Sequence, residues 1–138
     1  MRLSTKGQYA VRAMVVVALH DSTGPVPLRY IAEIEDISEQ YLEQIFMDLR
    51  KDDLVTGLRG ARGGYVLNRP AEEITSGDIV RAVEGPIVLV DCDHDGACQR
   101  AHVCATRALW ARVSESMSQV LDGTTLADLA NWAREKSR

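Results

Sequence analysis

The stretch that most constrains this chain is residues 37–67, ISEQYLEQIFMDLRKDDLVTGLRGARGGYVL. A helical apolar period gives way there to two short β-prone runs around a turn of glycine and arginine. Ser38 suits an N-cap, and Glu39 suits the positive end of a helix dipole. Ile37 before the cap and Leu42 at the fourth helical position form a hydrophobic staple, which fixes how the chain enters the helix. Tyr41, Leu42, Ile45, Phe46 and Leu49 make one apolar stripe, leaving Glu39, Gln40, Glu43, Gln44 and Met47 on the opposite face. LRYIAEIE at 28–35 reads as a shorter helix with Ile31, Ala32 and Ile34 inward, joined by a tight break at Asp36. Two short helices joined in this way make a helix-turn-helix candidate. LVTGL and YVL flank RGARGG, so a hairpin follows directly and the unit reads as a winged helix. The plainer alternative is a packing helix with a solvated face and a surface hairpin with solvated arginines. The order of three helices and then an arginine-tipped hairpin favours DNA.

The rest of the chain supplies a scaffold for that unit. Tyr9, Ala10, Ala13, Met14, Val17 and Ala18 recur at helical spacing within 4–20, and DSTGPVP at 21–27 is rich in turn formers. TSGDIVRAVEG at 75–85 predicts a helix opened by Thr75 and Asp78 at capping-box spacing, and PIVLV at 86–90 a short strand or extended lead-in. A long helix is expected from about 101 to 121 with Ala105, Leu109, Val113, Val120 and Leu121 on one stripe, widened by Ala108, Trp110 and Met117. Asp122 and Gly123 end it, and Thr125 with Asp128 repeats the capping spacing for a last helix through Trp132. A long amphipathic helix beside so small a domain has little core of its own to cover. The expectation is that it packs on its twin in a homodimer, the alternative being an intrachain hairpin with the last helix.

At 138 residues the chain can bury one modest core. The formal net charge of −4 does not by itself suggest a nucleic-acid binder. Its distribution is more informative, because Arg50, Lys51, Arg59, Arg62 and Arg69 face only Asp52 and Asp53 within residues 50–69. Any DNA contact comes from that local patch. The longest apolar run, MVVVAL at 14–19, is too short to span a membrane, and MRLSTKG carries no signal-peptide pattern. The sequence therefore predicts a cytoplasmic protein with no membrane partner.

Residues 90–107, VDCDHDGACQRAHVCATR, hold all three cysteines, at 92, 98 and 104. An odd count in a reducing compartment argues for metal or redox chemistry over a disulfide framework. Four chemistries compete. Asp91, Asp93, Asp95 and Gly96 match the first half of a calcium loop, but position twelve is His102 where a bidentate glutamate is needed. Structural zinc wants closer cysteine pairs, although His94 or His102 would complete a set of four. A bare thiol switch is disfavoured because Asp91, Asp93 and Asp95 raise the pKa of a neighbouring Cys92. An iron–sulfur cluster is wider than one ion, prefers thiolates, and with three cysteines keeps one exchangeable position suited to sensing.

MRLSTKGQYAVRAM, ISEQYLEQIFMDLRKDDLV, RGARGGYVL, the C-x5-C-x5-C spacing and the ALW…TLADL tail together resemble the IscR-type regulators, to which NsrR and RirA are related. The likeness runs from Met1 to about Trp132. It implies a dimeric winged-helix transcription factor whose iron–sulfur cluster controls promoter choice, commonly at cluster-assembly genes. By position it implies Cys92, Cys98 and Cys104 as cluster ligands. It places Ser38, Gln40, Tyr41, Glu43 and Gln44 at the major groove, with Arg59, Gly60 and Arg62 at the wing. Gln44 suits adenine and Glu43 suits the cytosine amino group. One departure concerns the fourth ligand. IscR has a histidine three residues after the last cysteine, where this chain has Arg107, a group that stays protonated and ligates poorly. His102 is then the leading candidate, with His94, Asp91, Asp93, a small thiol or the other subunit as alternatives. NsrR draws an acid from its partner's first helix to hold a 4Fe–4S cluster, and the matching residue here is Gln8. A 2Fe–2S cluster is favoured, with 4Fe–4S the alternative.

The expected fold is mostly α with a small β wing: a winged helix-turn-helix domain over 1–84, a cluster-binding loop over 85–104 and dimerisation helices over 105–138. The expected function is cluster-dependent transcription regulation on double-stranded promoter DNA, sensing cluster supply or redox or nitric oxide status. The rival is a zinc-stabilised winged-helix repressor without sensing. No nucleophile–base pair or nucleotide loop argues for an enzyme.

Overall fold

A computed structural model of the chain describes residues 3–90, 100 and 102–137. Helix α1 (Thr5–Leu19) is the hub. Ser4 caps it, its hydroxyl accepting from Gly7 N at 3.0 Å. Small and apolar residues on several faces (Gly7, Ala10, Ala13, Met14, Val16, Val17 and Ala18) are all buried, so other helices close in around it. α2 (Leu28–Glu35) and α3 (Glu39–Lys51) form the helix-turn-helix. α2 ends where Asp36 takes the left-handed conformation at φ 54°, and Ile37 N returns to Ala32 O at 3.2 Å. Ser38 then caps α3, accepting from Tyr41 N at 3.1 Å. Both staple residues, Ile37 and Leu42, are buried. Ile31 is buried as expected, but Ile34 is 47 % exposed instead of inward. The helix is too short and its core stripe too narrow to cover a residue three positions on.

The wing is an antiparallel pair, β1 (Val55–Leu58) and β2 (Gly64–Leu67), with Val55 opposite Leu67 and Leu58 opposite Gly64. Its base is held twice. Asn68 donates its side-chain amide to Asp53 O and Val55 O, at 3.1 and 3.3 Å. Val26, in the loop before α2, exchanges backbone bonds with Tyr65 at 3.0 and 2.9 Å. Gly64 makes that approach possible, since a Cβ there would lie 2.4 Å from the carbonyl carbon of Val26 and the backbone has φ 151°. The Phe46 and Tyr65 rings meet at 4.7 Å, joining the wing to α3.

After a 3-10 turn at Ala71–Glu73, α4 (Ser76–Glu84) opens with the expected box: Thr75 Oγ1 accepts from Asp78 N, and the Asp78 carboxylate accepts from Thr75 N. Thr125 and Asp128 do the same for α6 (Leu126–Lys136), which extends beyond Trp132. The two boxes lie side by side, with Leu126 N donating to Ile74 O at 2.7 Å and Ser76 N to Thr124 O at 2.8 Å. α6 packs on α1, and its Leu126 and Ala130 join the common core.

α5 is Arg107–Gly123, six residues later at its start than the pattern suggested. Residues 102–106 are in turns, with Val103 N bonded to Arg100 O at 3.0 Å. PIVLV adds no strand; its Leu89 N donates to Ser114 Oγ at 3.0 Å. α5 packs on α4, with Ser114 its only buried residue. Leu109 and Val120 stay 50 % and 69 % exposed, while Val113, Met117 and Leu121 are half-buried. The stripe read from sequence is therefore largely uncovered in a single chain.

Candidate nucleic-acid interface

α3 lies on the core through Leu42, Ile45, Phe46 and Leu49, and the opposite side of the helix is left to solvent. Ser38, Gln40, Glu43 and Gln44 are all exposed there. Tyr41 is half-buried, because its ring packs edge-on against Tyr9 of α1 with centroids 5.7 Å apart. Met47, one turn beyond Gln44 on the same face, is also exposed. Arg50 and Lys51 end the helix, exposed and favourable to its negative pole.

The wing presents Arg59, Gly60 and Arg62 in the turn beyond β1, all exposed. Gly60 has φ 109° and turns the chain so that Gly63 N reaches Gly60 O at 3.0 Å. Neither Arg59 nor Arg62 has an ion-pair partner among the described residues, whereas Arg69 at the base lies 3.9 Å from Asp78. The helix face and the unpaired wing arginines are joined through Phe46 and Tyr65. Such a unit can place polar side chains in a major groove and cations on phosphates or in a narrow minor groove.

Long-range contacts that the sequence did not reveal fix α1 against α2, α3 and α4. Lys6 Nζ donates to Asp48 Oδ2 at 2.6 Å, tying α1 to α3. Arg12 Nε donates to Glu35 Oε1 at 3.1 Å while its Nη2 donates to the Glu35 carbonyl, closing the end of α2. The Arg12 guanidinium also sits 5.2 Å from the Tyr9 ring centroid, which in turn meets Tyr41. At the N-cap of α1, Ser4 N donates to Glu84 Oε1 of α4 at 3.0 Å. These pairs are 42, 23 and 80 positions apart, and no local pattern marks them.

Of the cysteine segment, Cys92 and Cys98 lie outside the described residues, as do Asp91, Asp93 and His94. Cys104 lies within them, partly exposed, with Sγ 3.3 Å from Thr106 Oγ1 at the N-terminus of α5. The Thr106 hydroxyl holds this thiol below its usual pKa, helped by the Thr106 and Arg107 amides and by the charge of Arg100. These groups all favour the anionic sulfur, the form that binds metal. His102 is exposed in the preceding turn. Arg107 begins α5, with a buried Nε that has no hydrogen-bond partner among the described residues.

Known proteins give this geometry a context. Residues 3–132 match the Rrf2 family, described as "Iron-dependent Transcriptional regulator". The HTH-type transcriptional regulator IscR of Klebsiella pneumoniae (strain 342) is 46% identical over 131 residues, covering 95% of this chain and 80% of that protein. The same regulator of Serratia proteamaculans (strain 568) is 47% identical over the same share of each. Among solved structures, T. potens IscR superposes with a TM-score of 0.83 at 40% identity, covering 100% of this chain and 92% of that one. CymR (YrzC), the global cysteine regulator of B. subtilis, superposes with a TM-score of 0.81 at 42% identity, covering 96% and 98%. No helix among the described residues is long and apolar enough to cross a membrane. The chain is a winged helix-turn-helix transcription regulator of the IscR type, not an enzyme, and it belongs to the Rrf2 family.

Proposed function

We propose that the protein is a homodimeric, cluster-binding transcription regulator. Cys92, Cys98 and Cys104 would hold an iron–sulfur cluster, and its occupancy would set which promoters the α3 face and the wing recognise. The cluster is 2Fe–2S in this reading, with 4Fe–4S the alternative and His102 the leading fourth ligand. The observation that carries the reading is the setting of Cys104. Its sulfur is held toward the thiolate by the Thr106 hydroxyl, just ahead of α5, and α5 leaves Leu109 and Val120 exposed for a second copy to cover. A thiolate there fits a soft metal centre. When bound, the cluster supplies a labile, redox-responsive centre.

The chain's own residues do the rest. Residues 1–84 would form the DNA-binding part, 85–104 the cluster loop and 105–138 the dimerisation part, with α6 also packed on α1 in the common core. Ligation through Cys104 would order the turn ahead of α5. α5 is bonded back to α4 of the winged unit by Arg81–Asp122 and to the segment after it by Leu89–Ser114. Gln40, Glu43 and Gln44 would read base edges, Ser38 and Tyr41 would fix the entry of α3, and Arg59, Gly60 and Arg62 would follow the adjacent backbone and minor groove. A guanidinium is a donor group with no acceptor to ligate metal, so Arg107 would serve as a counter-charge near the sulfurs and not as a ligand.

Anaerobic purification with visible spectroscopy and counts of iron, acid-labile sulfide and zinc tests this. The expected result is a coloured protein with equal iron and sulfide. A colourless protein with stoichiometric zinc would replace the reading with a zinc-stabilised repressor.

A further inference from the structure

We propose that Met47 is a base-reading residue that contacts the C5-methyl group of a thymine. This rests on the DNA-binding reading of α3 and assigns one further specificity residue to it. Gln40, Glu43, Gln44 and Met47 follow one another on a single helical face, while the opposite face is committed to the core by Leu42, Ile45, Phe46 and Leu49. Met47 is 56 % exposed, the most exposed large apolar side chain of the helix-turn-helix. Its neighbour Asp48 does not share the face, being drawn back to Lys6 at 2.6 Å. A lone exposed apolar residue on an ordinary surface needs no explanation. Met47 is instead enclosed in sequence and on the helix by the groups that recognise DNA, with Glu43 and Gln44 one turn before it and Arg50 and Lys51 one turn after.

The major groove offers one apolar group among its base edges, the thymine methyl. An unbranched, polarizable thioether adapts to such an isolated contact without needing a hydrogen-bond partner. From Gln44 to Met47 the helix rises about 4.5 Å, close to one base step of roughly 3.4 Å. The thymine therefore lies one or two steps from the base read by Gln44.

The test begins with selection of binding sites from an unmethylated random duplex library by the anaerobically isolated protein. Each thymine of the selected site is then replaced in turn by deoxyuridine, which removes only the methyl. One position in each half-site should cost the native protein about fourfold in affinity, the worth of one buried methyl-sized group. Met47→Ser should bind thymine and uracil versions of that position equally, with an unchanged thermal melt because the side chain is exposed. If the thymine-to-uracil ratio is the same for both proteins at every position while selection succeeds, Met47 is not a reader and the DNA reading stands. If no sequence is enriched at all, both fall. The same methyl is carried by 5-methylcytosine. A gain on cytosine methylation without dependence on any thymine methyl would overturn the thymine assignment.

Discussion

Arg81 and Asp122 form a two-bond ion pair, Nη1 to Oδ1 at 2.8 Å and Nη2 to Oδ2 at 2.7 Å, which fastens the end of α5 to the middle of α4. The hydrogen bond from Arg81, more than any other influence, holds the Asp122 carboxyl below its usual pKa. A depressed carboxyl stabilises the fold above its unfolded pKa and loses that contribution as pH falls through the folded value. Both side chains are partly exposed, so Asp122→Asn should cost no more than about 1 kcal/mol at neutral pH. Urea midpoints measured against pH should separate the native and substituted proteins near pH 7 and converge in acid.

Gly64→Ala should be among the most damaging substitutions in the wing. The added Cβ would meet backbone atoms of Val26 and not a side chain that can swing away. Displacing that backbone breaks the Val26–Tyr65 pairing, and a loss of about 1–3 kcal/mol is expected. Chemical denaturation gives the stability, and DNA affinity should fall with it because the wing loses its anchor.

Arg12 holds the end of α2 and the Tyr9 ring, and through them should affect DNA binding. Arg12→Ala should weaken binding to a selected site several-fold while leaving the dependence on salt unchanged, because no phosphate contact is lost. Arg12→Lys should recover only part of the loss, since an ammonium cannot bridge the Glu35 carboxylate and carbonyl as the guanidinium fork does. A salt slope reduced by about one unit would instead place Arg12 on the DNA backbone.

Arg59→Ala should cost roughly 1–3 kcal/mol in binding if the side chain reads a groove edge. Fluorescence anisotropy on the selected duplex measures it. A change of a few tenths would remove Arg59 from the interface.

Val120→Asp tests the uncovered face of α5. The side chain is 69 % exposed in one chain, so the monomer fold should lose no more than about 0.5 kcal/mol. Sedimentation should show the population moving from dimer toward monomer, because a carboxylate would have to be buried between the two copies.

The helix-turn-helix and the capping boxes were legible because their signals are local. Ser38, Ile37 with Leu42, Thr75 with Asp78 and Thr125 with Asp128 each act within a few residues, and each is found in place. The start of α5 was not legible. Alanines at 101 and 105 continue an apolar pattern that turns at 102–106 interrupt. Ile34 failed for a related reason, since periodicity does not say how wide a stripe the neighbouring helices can cover. Val26 looked like loop and forms a bridge to the wing, a partnership that only the folded chain reveals. In the interface, the exposed polar face of α3 and the wing arginines followed from pattern. The clamps by Lys6, Arg12 and Glu84 did not, because their partners are distant in sequence.

The proposal that the cysteines govern DNA binding is tested most directly by titrating a duplex of each selected site class, anaerobically, with the cluster-loaded protein and with Cys98→Ala. The account predicts that both are folded dimers and that their affinities differ by tenfold or more on at least one site class. Equal affinities on every selected site, with the cluster demonstrably present in one protein and absent from the other, would contradict it.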